Sequence, residues 1–133
     1  MADGTILAMP RRREPSPVRS ARMKPKLRVW IVFDERVKFG DGRAQLLELI
    51  DALGSIQQAV GRLNMSYRNA WGYLRELEKS AGFKFLERRP GAGPRGGARL
   101  TKQGRAFLAQ YRRFRRALDP MVERRFRGTF ARP

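Results

Sequence analysis

Four consecutive residues, Ser66-Tyr67-Arg68-Asn69, carry the side chains in this sequence best suited to reading another molecule. Arg and Asn can each make paired hydrogen bonds to a nucleic-acid base, Arg to the guanine edge and Asn to the adenine edge. Such bonds need a rigid carrier, and the neighbouring residues describe one. Ser66 fits a helix N-cap, Ala70, Tyr73, Leu74 and Leu77 follow as one buried helical face, and Gly82 suits a C-terminal stop. Upstream, Ser55 and Gln58 form an S-x-x-Q capping box, and Ile56, Ala59, Val60 and Leu63 repeat at i, i+3, i+4 and i+7. Asn64 sits at the junction, where a left-handed residue would turn the chain. Two short capped helices in this order describe a helix-turn-helix, whose second helix enters the DNA major groove by its N-terminal residues. An ordinary helical hairpin with a polar surface shares the pattern, so the flanking sequence decides.

Composition narrows the chemistry. The 133 residues suffice for one domain with tails, and 30 Lys and Arg against 12 Asp and Glu give a formal charge of +18. That charge suits a polyanion, whether DNA, RNA or an anionic membrane surface. The absence of Cys and His removes thiol nucleophiles, disulfides, zinc fingers and the commonest general base. No catalytic set, metal site or cofactor is therefore expected. The apolar run VWIVF is far too short to span a membrane, and a reducing, cytoplasmic setting is expected.

The elements that must position these residues follow in order. Residues 1–26 are Pro-rich and basic and read as a disordered arm. Arg11-Arg12-Arg13 could enter a minor groove, but a solvated tail giving nonspecific attraction is the simpler reading. LRVWIVF predicts a strand, Asp34-Glu35-Arg36 a turn, and Val37-Lys38-Phe39 a short return strand. Gly40-Asp41-Gly42 breaks the chain, with Asp41 available to cap a helix over 45–53. Leu46, Leu49, Ile50 and Leu53 form the inward stripe of that helix, and Glu48 and Asp51 are expected on its solvated side without a chemical role.

After Gly82, FKFLERR and the region of Arg99-Leu100 predict two short strands around the loop PGAGPRGGA. A hairpin following a recognition helix is a wing, and Arg88, Arg89, Arg95 and Arg99 would make it positive. The glycines also raise phosphate cradling, but no G-x-x-x-x-G-K-[ST] pattern is present. Thr101 caps a last helix lined by Phe107, Leu108, Tyr111, Phe114 and Leu118. This apolar stripe exceeds what a small domain needs, which predicts dimerisation through Phe107, Tyr111, Phe114 and Leu118. The alternative is that it closes the domain's own core. Asp119-Pro120 predicts a helix break, and 119–133 a basic tail.

The order strand, helix, helix-turn-helix, wing, helix resembles the DNA-binding domain of ModE-type molybdate-responsive regulators, a LysR-like winged helix. The resemblance covers about residues 26–118 and rests on FGDGRAQLLELIDALGSI, MSYRNAW, ER before a Gly-rich wing, and ARLTKQG. It implies that the helix beginning at SYR is the recognition helix, that Trp71 belongs to the core, and that the first and last helices dimerise, which adds Leu46 and Ile50 to the expected dimer contact. Family members of full length carry C-terminal oxyanion-binding domains, and this chain ends where those would begin, so it is not expected to sense molybdate alone.

The expected fold is mainly helical with a small β component: a winged helix-turn-helix over 27–118. The expected DNA contacts are Ser55, Gln57, Ser66, Tyr67, Arg68, Asn69, Arg75, Arg88, Arg89, Arg95 and Lys102. The expected function is a homodimeric, sequence-specific transcription regulator on double-stranded DNA, possible links to molybdenum genes and to a separate sensor protein following from the resemblance and from the lack of a ligand pocket. A nucleoid-type architectural protein is the alternative. RNA binding and catalysis rank lower, because most aromatics fall on apolar stripes and no catalytic constellation is visible.

Overall fold

The computed structural model describes residues 22–91, 93 and 96–130. The element order is β1 (Ile31–Phe33), β2 (Val37–Phe39), α1 (Asp41–Leu53), α2 (Ile56–Leu63), α3 (Tyr67–Ala81), β3 (Leu86–Arg88), β4 (Ala98–Leu100) and α4 (Lys102–Phe130). Helix dominates, and each strand pair forms its own two-stranded antiparallel sheet.

Asp34 and Glu35 both adopt positive φ, and the Arg36 N–H donates to the Phe33 carbonyl at 2.9 Å, closing the first hairpin tightly. The strand is shorter than LRVWIVF suggests. Ile31 pairs with Phe39, and α1 begins two residues later, so residues 27–30 run past the end of β2 with no strand partner, and the Leu27 carbonyl instead accepts from Arg115 at 2.8 Å. Helix α1 starts earlier than expected, with Gly40 as N-cap and Asp41 as its first residue. Asp41 does not cap. Its carboxylate instead accepts from the Tyr111 hydroxyl at 2.6 Å and from Arg115 at 3.2 Å, tying the start of α1 to α4. Burial and the facing Asp41 carboxylate push the Tyr111 hydroxyl up to about 12.

Phe39, Leu46, Leu47, Ile50, Leu77 and Phe85 are the largest fully buried side chains. Half-buried Phe107 packs against them, edge-on to Phe39 at 5.0 Å and to Phe85 at 5.5 Å, while Tyr111 meets Phe39 at 5.1 Å. Each buried aromatic contributes about 1.5–3 kcal/mol of transfer free energy, with edge-to-face pairs adding roughly 0.5–1.5 kcal/mol.

The carboxylates expected to face water are structural. Asp51 accepts from the Leu100 N–H at 3.0 Å and from Arg105 at 2.6 Å, and Glu48 forms a two-bond pair with Arg112, both at 2.7 Å. Glu78 accepts from the Phe85 and Leu86 N–H groups at 2.8 and 3.1 Å. The second hairpin is thus held by carboxylates from α1 and α3, each pairing a backbone donor with no sheet partner.

Helix α4 corrects the expected break. It runs unbroken through Asp119 and Pro120 to Phe130, so 119–130 is helix rather than a trailing tail. Pro120 removes one N–H and crowds the carbonyl four residues back. The Arg115–Asp119 pair, at 2.6 Å and one turn apart, spans the adjacent turn. At 1.5 Å per residue this helix is about 43 Å long. Among the described residues no helix is long and apolar enough to cross a membrane, and no cluster of acidic residues, His or Cys could hold a metal ion.

Candidate nucleic-acid interface

Helices α2 and α3 form where local chemistry requires. The Ser55 hydroxyl accepts from the Gln58 N–H at 3.1 Å, and the Ser66 hydroxyl from the Asn69 N–H at 3.0 Å. Each bond satisfies one of the donors left open at a helix start. Between the helices Asn64 adopts φ 56°, and its N–H donates to the Val60 carbonyl. Gly82 ends α3 in the left-handed region at φ 83°. Ala59, Val60, Ala70, Leu74 and Leu77 bury the inner faces.

With those faces buried, the first turn of α3 is open. Ser66, Tyr67, Arg68 and Asn69 are all exposed, as are Gln57 on α2 and Arg75 further along α3. Arg68 and Arg75 form no ion pair with a carboxylate among the described residues, in contrast to Arg99, Arg105, Arg112 and Arg115. An exposed cation without a protein carboxylate remains open to a phosphate or a base edge.

The second hairpin lies beside α3. Trp71, Leu74, Arg75 and Glu78 of α3 face Leu86, Arg88 and Ala98 across a groove of about 520 Å³. Arg88 donates to the Gly93 carbonyl at 3.1 Å, bracing the loop, and Arg99 pairs with Glu87 directly opposite at 2.7 Å. Arg89 packs over Gly54, whose φ of 76° favours glycine. The Gly54 carbonyl accepts from the Ala98 N–H at 3.0 Å, so the hairpin is bonded to the α1–α2 junction. Arg95 lies outside the described residues. Lys102 is exposed at the start of α4, where Thr101 caps by accepting from the Gly104 N–H at 2.9 Å.

Trp71 is not a core residue. It stands one position, about 100° of helical rotation, from Ala70 at the centre of the buried stripe. It is 42 % exposed, and its indole N–H donates to the Tyr67 hydroxyl at 2.8 Å. The Arg75 guanidinium lies 5.4 Å from its ring centre. The i, i+4, i+8 spacing of Tyr67, Trp71 and Arg75 was the available signal, and it places them along one exposed edge of α3.

The residues expected at a dimer contact divide. Leu46, Ile50 and Tyr111 are buried within the chain's own core, and Phe107 is half-buried against Phe33, Phe39 and Phe85. Phe114 is exposed and Leu118 half-exposed. With Met121, Val122 and Phe126 of α4, and Leu27 and Val29 ahead of β1, they line an almost wholly apolar groove of about 610 Å³.

No protein-family model matches the chain. Individual proteins do. Over 95 residues, 68% of this chain and 35% of the relative, it is 34% identical to a molybdenum transport protein ModE of Azotobacter vinelandii. Over 69 residues it is 36% identical to the transcriptional regulator ModE of Haemophilus influenzae, covering 52% of this chain and 27% of that protein. It is 33% identical, over 52% of this chain and 26% of the relative, to the DNA-binding transcriptional dual regulator ModE of Escherichia coli K12. These bacterial proteins are named for regulation and transport, not for catalysis, and the chain spans only about a quarter to a third of their length. Over half to two-thirds of its length, the chain carries a ModE-like domain that corresponds to part of those longer proteins.

Proposed function

We propose that residues 27–118 form a winged helix-turn-helix and that the chain is a sequence-specific DNA-binding transcription regulator. The observation that carries this reading is the first turn of α3. It is capped by Ser66, preceded by the left-handed Asn64, and presents Tyr67, Arg68 and Asn69 to solvent. A helix set this way delivers its N-terminal side chains to base edges in the major groove. Arg68 and Asn69 choose sequence. Ser55, Gln57, Ser66, Arg75, Arg88, Arg89, Arg95 and Lys102 bind the backbone, and the β3–β4 hairpin acts as the wing.

The protein works as a homodimer on a near-palindromic operator. The apolar seam of Phe114, Leu118, Met121 and Phe126 supports this, because so continuous a stripe is costly to leave in water. Regulation of molybdenum-related genes, in a cytoplasmic and nucleoid-associated setting, rests on the named relatives.

A second reading, an architectural protein that coats DNA without choosing sequence, is favoured by the formal charge of +18 and by the exposed Arg113, Arg116, Arg124, Arg125 and Arg127 of α4. Selection of bound sequences from a random DNA pool at about 150 mM salt, where nonspecific attraction is reduced, separates the two. A recovered near-palindrome, with half-sites about one helical turn apart, supports the regulator. An unenriched pool despite tight binding at low salt leaves the architectural protein.

A further inference from the structure

We propose that Tyr67 and Trp71 act as a locked pair in which Trp71 fixes the polarity of the Tyr67 hydroxyl, making it a hydrogen-bond donor to an acceptor on a base edge. The inference rests on the DNA-binding reading above and names a specificity determinant within that site. Two large aromatic side chains lie side by side at 43 % and 42 % exposure on α3, although a buried stripe runs along the same helix. They are not loosely placed. The indole N–H of Trp71 donates to the Tyr67 oxygen at 2.8 Å, and the Arg75 guanidinium rests against the indole ring.

The direction of that bond decides what the pair can do. An indole N–H is a donor only, so the phenolic oxygen must accept. Because the oxygen accepts from the indole N–H, its own hydrogen must turn away from Trp71, and the exposure of Tyr67 leaves that hydrogen available to an outside acceptor. Tyr67 is also the first residue of α3, where a recognition helix makes its base contacts. A fixed donor discriminates among bases. In the major groove it is satisfied by guanine O6 or N7, adenine N7 or thymine O4, and is opposed by the amino group of cytosine. Trp71 is a positioning residue: it need not touch DNA to exert this preference.

The test compares the full chain with Tyr67→Phe, Trp71→Phe and the double variant, each by selection from a random DNA pool followed by affinities for single-base variants of the recovered site. Both positions are exposed, so the folded state of each variant is verified by circular dichroism and its thermal midpoint. Tyr67→Phe should reduce discrimination at one base pair per half-site by roughly 2- to 12-fold, the range of a single hydrogen bond. Trp71→Phe, which keeps a ring but frees the hydroxyl to rotate and accept, should relax the same base pair. The double variant should add nothing to Tyr67→Phe. Unchanged preferences in the variants, a uniform loss for every sequence, or additive effects at different base pairs would overturn the inference while leaving a sequence-specific regulator in place. An unenriched pool with the unsubstituted chain would overturn the underlying reading as well.

Discussion

Asp51 offers a direct test of how the helices hold the second hairpin. Its carboxylate reaches from α1 to the Leu100 N–H of β4 at 3.0 Å and to Arg105 of α4 at 2.6 Å. A hydrogen bond to a charged acceptor contributes about 1.5–3 kcal/mol, against about 0.5–1.5 kcal/mol for a neutral one. Arg105 is more than half exposed, so its pairing adds only about 0–1 kcal/mol. Asp51→Asn keeps an acceptor oxygen but loses the charge, so the expected loss at neutral pH is about 1–2 kcal/mol. The pH dependence is specific. Burial alone would raise the Asp51 carboxyl, but the Leu100 N–H and Arg105 outweigh it and hold the group below its ordinary 3.8. The contribution is complete above that unfolded value and is lost as pH falls through the lower folded value. Urea unfolding of both proteins at about pH 7 and in steps down to about pH 2.5 should show the gap narrowing with acid. Asp41 is likewise held low, Tyr111 and Arg115 outweighing its burial, but it is present in both proteins and cancels from the difference. A gap that stays constant across this range would refute the reasoning, as would an Asn variant as stable as the parent at neutral pH.

Other perturbations probe other links. A Cβ at Gly104 would stand 2.5 Å from the Phe85 carbonyl oxygen and 3.0 Å from its Cα, so Gly104→Ala should cost about 1–3 kcal/mol, read as a lowered thermal midpoint. Pro120→Ala restores a helical N–H and removes a clash, and should stabilise α4 by up to about 3 kcal/mol, with increased helical circular dichroism. Arg68→Ala should cost about 1–3 kcal/mol of discrimination at one operator position, measured with single-base variants; equal weakening for all sequences would make Arg68 a backbone contact. If a dimer neutralises about 6–10 phosphates, its affinity should fall roughly 10³- to 10⁵-fold between 50 and 200 mM salt in a titration.

The features legible in the sequence are those fixed by near neighbours. The caps at Ser55 and Ser66, the left-handed turn at Asn64 and the stop at Gly82 each depend on residues within one helical turn, and each stands as expected. The features that differ depend on residues far along the chain. Glu48 and Asp51 read as solvated because their partners, Arg112 and Arg105, are more than fifty residues away. Gly40 reads as a breaker, yet it is the N-cap of α1, at a position where a Cβ would stand 2.7 Å from the Trp30 ring and 3.2 Å from the Val29 carbonyl. Pro120 reads as a stop, a local preference that the structure overrides. The resemblance implies a buried Trp71, whereas its 100° step from Ala70 sets it outside the buried stripe. Arg95, one of the arginines expected around the wing, lies outside the described residues.

The bond from the Ala98 N–H to the Gly54 carbonyl has a mechanical consequence. It fastens the hairpin at the point where α1 hands over to α2, while Glu78 fastens the other strand to the far end of α3. The hairpin is thereby tied at two points, one on α3 and one on the α1–α2 junction, which sets its spacing from the helix. A surface that touches both must already have the right spacing or deform until it does, so the stiffness of the partner enters the binding energy alongside the contacts themselves.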